Sequence, residues 1–435
     1  MKLVVFAHTP PPHHGQSYMV QQMLIGFGGD ARRRKDGGAS PYGIDCYHVN
    51  ARFSETLEDV GEFQGTKILL IFWYCLQAIW LRFRHGATHL YYVPAPGKRV
   101  ALYRDWLVML FCRPFFDSVI LHWHAAGLGK WLETSSAGAA RSLTYRLYRP
   151  VTLSIVLSRY NAGDGEKLLS RKIRVVPNGI ADPCPDFEKT LLPRRRARLA
   201  ARQKLLAGQT LSPLEIQGAG GDPHLVRVLY LAHCMRQKGL FDAMDGVLEA
   251  ARQWRAAGSP LELELIVAGE FPSAEERGEF ERRAAQQAGH QELPRIKYVG
   301  FVGGAKKQRQ FAEADLFCFP TYYYAESFGL VIVEAMAAGL PVVTTRWRTI
   351  PELFPENYPG LVAVRAPREV GDALRRLAAV DMADDMRRLF LDRYTFAKHL
   401  SRLAEAIRSV ETDPGRVSRS EEKEAIPGAA PAVPN

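Results

Sequence analysis

Short apolar runs punctuate this chain in two series, each run followed by a helix-like or loop stretch, and that alternation limits the folds open to it. Up to Ile180 the runs are LVVF at the start, HLYYV at 89–93, SVILHWH at 118–124, LSIVLS at 153–158 and IRVVPNGI at 173–180. Strands separated by helical patterns imply βαβ units and a parallel sheet. Near Arg227 the series restarts with VRVLYLA, LELELIVAGE, IKYVGFV, ADLFCFP and LPVVTT. At 435 residues the chain is too long for one ordinary core and suits two. The expected fold is therefore α/β, with parallel-sheet domains at 1–181 and 226–392. A helix at 393–411 is expected to return to the first domain, followed by a polar, Pro-rich, disordered tail at 412–435.

The segment 182–225 differs from both halves. PRRRARLAARQK at 193–204 and GAGGDP at 218–223 mark it as an insertion or linker, a basic helix plus a flexible loop. Its arginines read as a solvated charge run ahead of an anionic-surface contact.

Lys and Arg outnumber Asp and Glu by 57 to 46, which favours polyanionic partners. Nucleic acid is not expected, because the basic residues are diffuse and no recognised module appears. The six cysteines form no C-x-x-C pair and lie in apolar segments, so reduced thiols and a cytoplasmic location are expected. The opening Met1–Phe6 reads as a buried strand rather than a signal peptide. KILLIFWYCLQAIWLRF at 67–83 is short for a membrane span and is interrupted by Gln77, so it reads as a buried or interfacial helix. Its flanking Lys67, Arg82 and Arg84 would suit the anionic headgroups of the inner membrane face.

The stretch AESFGLVIVEAMAAGLPVVTT, 325–345, carries the chemistry. Glu326-Ser327-Phe328-Gly329 reads as a loop entering a helix with Ser327 as N-cap, and Leu330–Ala338 as the helix, closed by Gly339 and Pro341. The N–H groups at such a helix start form an anion site suited to a phosphate, and Gly329 lets the backbone approach closely. Glu334 lies about 7 Å further along at 1.5 Å per residue, where a carboxylate can hold ribose hydroxyls. Glu326, on the other side, can hold the hydroxyls of a sugar.

Here the chain resembles the group 1, family 4, retaining glycosyltransferases, which have the GT-B fold of two Rossmann-like domains facing a cleft. The resemblance rests on Glu326-x7-Glu334 with AMAAGLPVVTT, Asp315 before the donor loop, the turn Pro177-Asn178-Gly179-Ile180, and HTPPPHHGQSYMVQQ at 8–22. It implies a nucleotide-sugar donor, with Glu334 on ribose, Glu326 on the transferred sugar and the amides of Phe328, Gly329 and Leu330 on the diphosphate. It also implies that Gly15 and Gln16 lie near donor and acceptor, and that His124 is the histidine beside the sugar. No metal or other cofactor is expected, since cation and helix dipole neutralise the leaving group. A sugar or lipid-linked acceptor is expected, in bacterial surface polysaccharide or glycolipid assembly.

One motif departs from the family. In YLAHCMRQKGL, 230–240, Lys238 and Gly239 match, but His233 stands where an arginine is common. Lys238 suffices as a phosphate clamp, whereas His233 carries full charge only when protonated. A catalytically silent nucleotide-sugar-binding homologue and a nucleotide-sugar epimerase are therefore the rival functions. His122-x-His124 admits a zinc reading, but no third ligand stands at characteristic spacing. His13 and His14 read equally as functional or as solvent-exposed, and the YYY run at 322–324 as pocket-shaping or as edge packing.

Overall fold

The computed structural model describes residues 1–11, 15–34, 40–52, 65–94, 97–125, 127–288 and 293–411. His13, His14 and the 412–435 tail lie outside the described residues.

The first domain holds β1 (Lys2–Phe6), β2 (Asp45–Val49), β3 (His89–Tyr92), β4 (Ser118–Trp123), β5 (Leu153–Val156) and β6 (Lys172–Val175). They form a 6-stranded sheet in the order β2-β1-β3-β4-β5-β6, with parallel pairing throughout. The second domain holds β7 (Leu225–Leu231), β8 (Glu262–Ala268), β9 (Arg295–Gly300), β10 (Leu316–Phe319), β11 (Val342–Thr345) and β12 (Leu361–Val362). These form a second parallel 6-stranded sheet, β12-β11-β10-β7-β8-β9. The fold is the expected α/β architecture. Sequence reading missed β2, whose DCYHV mixes polar and apolar residues, and β12, which is too short to show a period.

Both faces of each sheet are covered, so the central strands are buried along most of their length. One face of the first sheet packs Val4, Phe6 and Leu121 against helices Gly65–His85 and Arg99–Cys112. The other packs Leu3 and Val5 against Val20 and Met23, and also against Leu400, Leu403 and Ile407 of helix Phe396–Arg408. Helix Phe396–Arg408 thus packs on the domain where the chain begins. The two crossings between domains are tied together, with Ile180 N–H donating to Tyr394 O and Phe396 N–H to Ile180 O. At Gly179 a Cβ would sit 2.5 Å from the Thr395 carbonyl oxygen, so only glycine permits that approach.

The segment 182–225 is largely helical, and its arginines are not a solvated run, which corrects that part of the sequence reading. It forms helix Phe187–Leu206 and helix Pro213–Ala219, the latter opened by a Ser212/Glu215 capping box. Arg195, Arg198 and Arg202 recur at helical spacing and face inward. Arg198 and Arg202 each place a nitrogen 2.7 Å from the Asp315 carboxylate, and all three groups are buried. Burial alone would raise the Asp315 carboxyl, but Arg202 and Arg198 hold it down at about 2. Arg195 donates to Phe311 O, Ala314 O and Ala338 O, carbonyls at the C-terminal ends of two helices. Burial, with no counter-ion in contact among the described residues, lowers its guanidinium to about 10. Arg196, on the outer face, pairs with the partly exposed Asp381 and Asp384.

Candidate active site

The C-terminal ends of both sheets open onto one cleft of about 630 Å³, the position where open α/β sheets bind ligands. From the first domain, Gly15, Gln16, His124 and Asn178 line it. The second domain contributes His233, Lys238, Glu270, Tyr323 and the run Glu326–Val331.

Helix Leu330–Ala337 begins at Gly329, whose φ of 76° lies in the left-handed region. That conformation turns the loop sharply into the helix at no Cβ cost. No side chain caps the helix, and Ile332 N–H already donates to Gly329 O, so the N–H groups of Leu330 and Val331 are the ones open to an anion. The expected cap, Ser327, is displaced from that role. It lies two residues before the true N-cap, and its Oγ donates instead to His124 O at 2.6 Å across the cleft. Asn161 Nδ2 donates to Ser327 O at 3.3 Å from the same side. Nearby, the Glu352 carboxylate accepts from the Arg159 and Tyr160 amides at 2.8 Å each. The loop Glu326–Gly329, and the second domain at Glu352, are thereby held against the first domain.

Lys238 Nζ lies 2.6 Å from Glu326 Oε2, both largely buried. It also sits over the Tyr323 ring, 4.6 Å from the centroid. A cation held by a carboxylate and a π-face is poised at the helix start. Glu334 lies one turn along the helix, outside the lining of this cleft, where its Oε1 accepts from Lys307 at 2.6 Å. The Phe328 ring is buried against Tyr394, leaving only its main chain for a ligand. Of the tyrosines, Tyr323 lines the cleft, Tyr322 is buried beneath Arg365, and Tyr324 is exposed.

His233 lines the cleft, and burial, reinforced by the nearby Lys238 charge, lowers its pKa. It is therefore neutral at pH 7. His124 lines the cleft, while His122 lies behind it with ring centroids 4.1 Å apart and shares a hydrogen bond with Tyr91. Burial, then the other histidines, push His122 well below its usual value. Among the described residues no group of three or more His, Cys, Asp or Glu side chains is placed to hold a metal. A Cβ on Gly15 would meet Leu330 Cδ1 at 3.8 Å, ordinary contact, so this glycine sits close to the start of helix Leu330–Ala337 without being forced by space.

Sequence reasoning did not single out Lys307, Glu270 or Asn161. Lys307 lies on helix Gly304–Glu313, and nothing local in its sequence links it to Glu334.

Residues 227–379 match the family model described as glycosyl transferases group 1. A phosphatidyl-myo-inositol mannosyltransferase of Mycobacterium leprae is 36% identical over 106 residues, 24% of this chain and 23% of that protein. The amylovoran biosynthesis glycosyltransferase AmsK of Erwinia amylovora is 33% identical over 159 residues, 36% of this chain and 35% of that one. The aligned parts thus span well under half the length of these curated relatives. Among solved structures, Anabaena HepE in complex with UDP superposes with a TM-score of 0.61 at 15% identity, over 94% of this chain and 100% of that one. Sucrose-phosphate synthase from Thermosynechococcus elongatus gives 0.59 at 17%, over 95% and 100%. These likenesses establish the GT-B fold.

Proposed function

We propose that this GT-B chain, whose second domain matches the group 1 glycosyl transferases, moves a sugar from a nucleotide-diphosphate donor to an acceptor hydroxyl with retention at the anomeric carbon. The observation that carries this reading is the uncapped helix start at Gly329, with Lys238 paired to Glu326 in front of it, facing His124 across the cleft.

In this reading the donor diphosphate takes the N–H groups at Gly329 and Leu330 and draws Lys238 away from Glu326. The freed Glu326 carboxylate then accepts from a hydroxyl of the sugar. Glu334 exchanges Lys307 for the ribose hydroxyls, and neutral His233 donates one hydrogen bond to phosphate. The bond from the anomeric carbon to the phosphate oxygen breaks, its electron pair leaving with the nucleoside diphosphate. The acceptor oxygen bonds to the same face of that carbon, and its proton passes to the departing phosphate oxygen. Charge developing on that oxygen meets preorganised donors, which is where such a site gains rate. Gln16 and His124, on the first domain, border the acceptor side.

The relatives named as a phosphatidyl-myo-inositol mannosyltransferase and an amylovoran biosynthesis enzyme support a role in glycolipid or surface polysaccharide assembly with a lipid-linked acceptor. No described helix is long and apolar enough to cross a membrane, so contact with the inner membrane face would be peripheral. The reading requires no metal.

A thermal-shift screen against UDP-, GDP-, ADP-, CMP- and dTDP-sugars tests the proposal, since a ligand that binds the folded state raises its melting temperature. Stabilisation by one donor, lost in Glu334→Ala, is the expected result. Binding without transfer to any acceptor would instead indicate a silent homologue, the reading that a neutral His233 favours. Conversion of donor alone to an isomeric sugar would indicate an epimerase.

A further inference from the structure

Helix Gly65–His85 is apolar on two faces. Ile71, Cys75, Ala78 and Leu81 are buried in the first domain's core. On the opposite side Leu69, Trp73, Leu76, Trp80 and Phe83 are 71, 58, 60, 55 and 67% exposed. Their spacing lays them in a single stripe along the helix. The stripe continues onto the next elements, where Phe111 packs on Phe72 and Phe115 on Phe83, both still open to solvent. So many large exposed side chains in one patch mark a contact surface.

At the end of this patch a cavity of about 380 Å³ is lined by Leu110, Arg113, Pro114, Arg146, Thr152 and Arg171. Arg113 spends one nitrogen on Leu147 O. Arg146 and Arg171 are exposed and have no ion-pair partner among the described residues. The acid on the rim, Asp117, faces Arg82 at 3.6 Å. Arg84 adds a further exposed cation beside Phe83.

We propose that this cavity takes the phosphate of an anionic phospholipid headgroup while the apolar stripe enters the acyl boundary, so that the first domain docks flat on an anionic bilayer. A bilayer meets both features at once, because phosphate pairs with guanidinium and the interface accommodates indole and phenyl rings. A second copy of this chain would cover the rings but bring more arginines of like charge to the rim. The inference deepens the reading of a lipid-linked acceptor and rests on it only for its purpose, since docking needs neither donor nor acceptor.

The test is flotation of the full chain with phosphatidylcholine vesicles, with and without phosphatidylglycerol, in the absence of any nucleotide sugar. The protein is expected to float with the anionic vesicles. Arg146→Ala/Arg171→Ala should weaken partitioning about 25-fold, roughly fivefold for each basic residue worth ~1 kcal/mol at such a surface. Trp73→Ser/Trp80→Ser should abolish most of it, while the distant pair Arg368→Ala/Arg388→Ala leaves it unchanged; melting temperatures check that each variant is folded. Protein remaining in the aqueous fraction, or equal losses in both arginine pairs, would overturn the proposal. So would a dimer in sedimentation equilibrium that Trp73→Ser/Trp80→Ser dissolves in the absence of lipid binding. A missing nucleotide-sugar thermal shift alongside normal flotation would sink the transfer reading and leave this one standing.

Discussion

Lys238 Nζ sits 2.6 Å from Glu326 Oε2, and both line one cleft; in the proposed reading the cation that takes the diphosphate is held by the carboxylate that takes the sugar. Removing either partner should separate binding from turnover. Lys238→Ala is expected to weaken nucleoside diphosphate binding by about 10- to 100-fold, the range set by ~1.5–3 kcal/mol for a charge-assisted hydrogen bond. Glu326→Gln should bind donor nearly as well but lose most of kcat. Calorimetric titration with UDP, GDP and ADP, paired with transfer assays, checks both. Equal loss of affinity in the two variants would refute the division of roles.

His233 is neutral at pH 7 because burial and Lys238 lower its pKa. Protonating it adds a positive charge to the diphosphate site, so donor affinity should rise as pH falls below the ordinary histidine value. His233→Arg supplies that charge permanently. It should bind donor about tenfold more tightly at neutral pH, the scale of one bidentate arginine contact, and lose the pH dependence. A flat wild-type profile between neutral and mildly acidic pH would show that His233 does not reach the phosphate.

Asp315 joins Arg198 and Arg202 in a buried cluster that fastens helix Phe187–Leu206 to the second domain. Asp315→Asn leaves two buried guanidinium groups without a counter-charge, and such a loss costs about 3–5 kcal/mol. The midpoint of urea unfolding should fall accordingly. An unchanged midpoint would mean that water already solvates these arginines.

Buried histidines make the fold acid-sensitive. Burial brings His399, which contacts Pro177 O, down to about 4 from an ordinary 6.5, and His48, His89 and His122 shift in the same direction. A depressed folded pKa means that the unfolded chain takes up protons first. Stability is therefore complete above about pH 6.5 and is lost progressively as pH falls towards 4. His399→Gln should flatten that slope in melting temperatures measured across the window.

The helix start at Gly329 was legible in the sequence because its signals are local: a glycine, an apolar helical run, then Gly339 and the strand that follows. The cap was misread because Ser327 is a good cap by type, and only its distance to His124 O shows where the hydroxyl goes. The arginine run illustrates the opposite failure. Arg195, Arg198 and Arg202 share a face by spacing alone, but charge is assigned to solvent by default, and the carbonyls and the acid that they bind lie more than a hundred positions away.

The sequence by itself determined the two parallel sheets, most of their strands in order, and the residue types gathered in the loop before Leu330, because periodicity and turn chemistry act between near neighbours. Tertiary structure alone decided that Lys238 meets Glu326, that Lys307 meets Glu334, and which face of helix Gly65–His85 is left uncovered. That helix is apolar on both sides, so no pattern along it can say which side the sheet will cover. Packing chooses, and the choice leaves a tryptophan-bearing stripe in solvent.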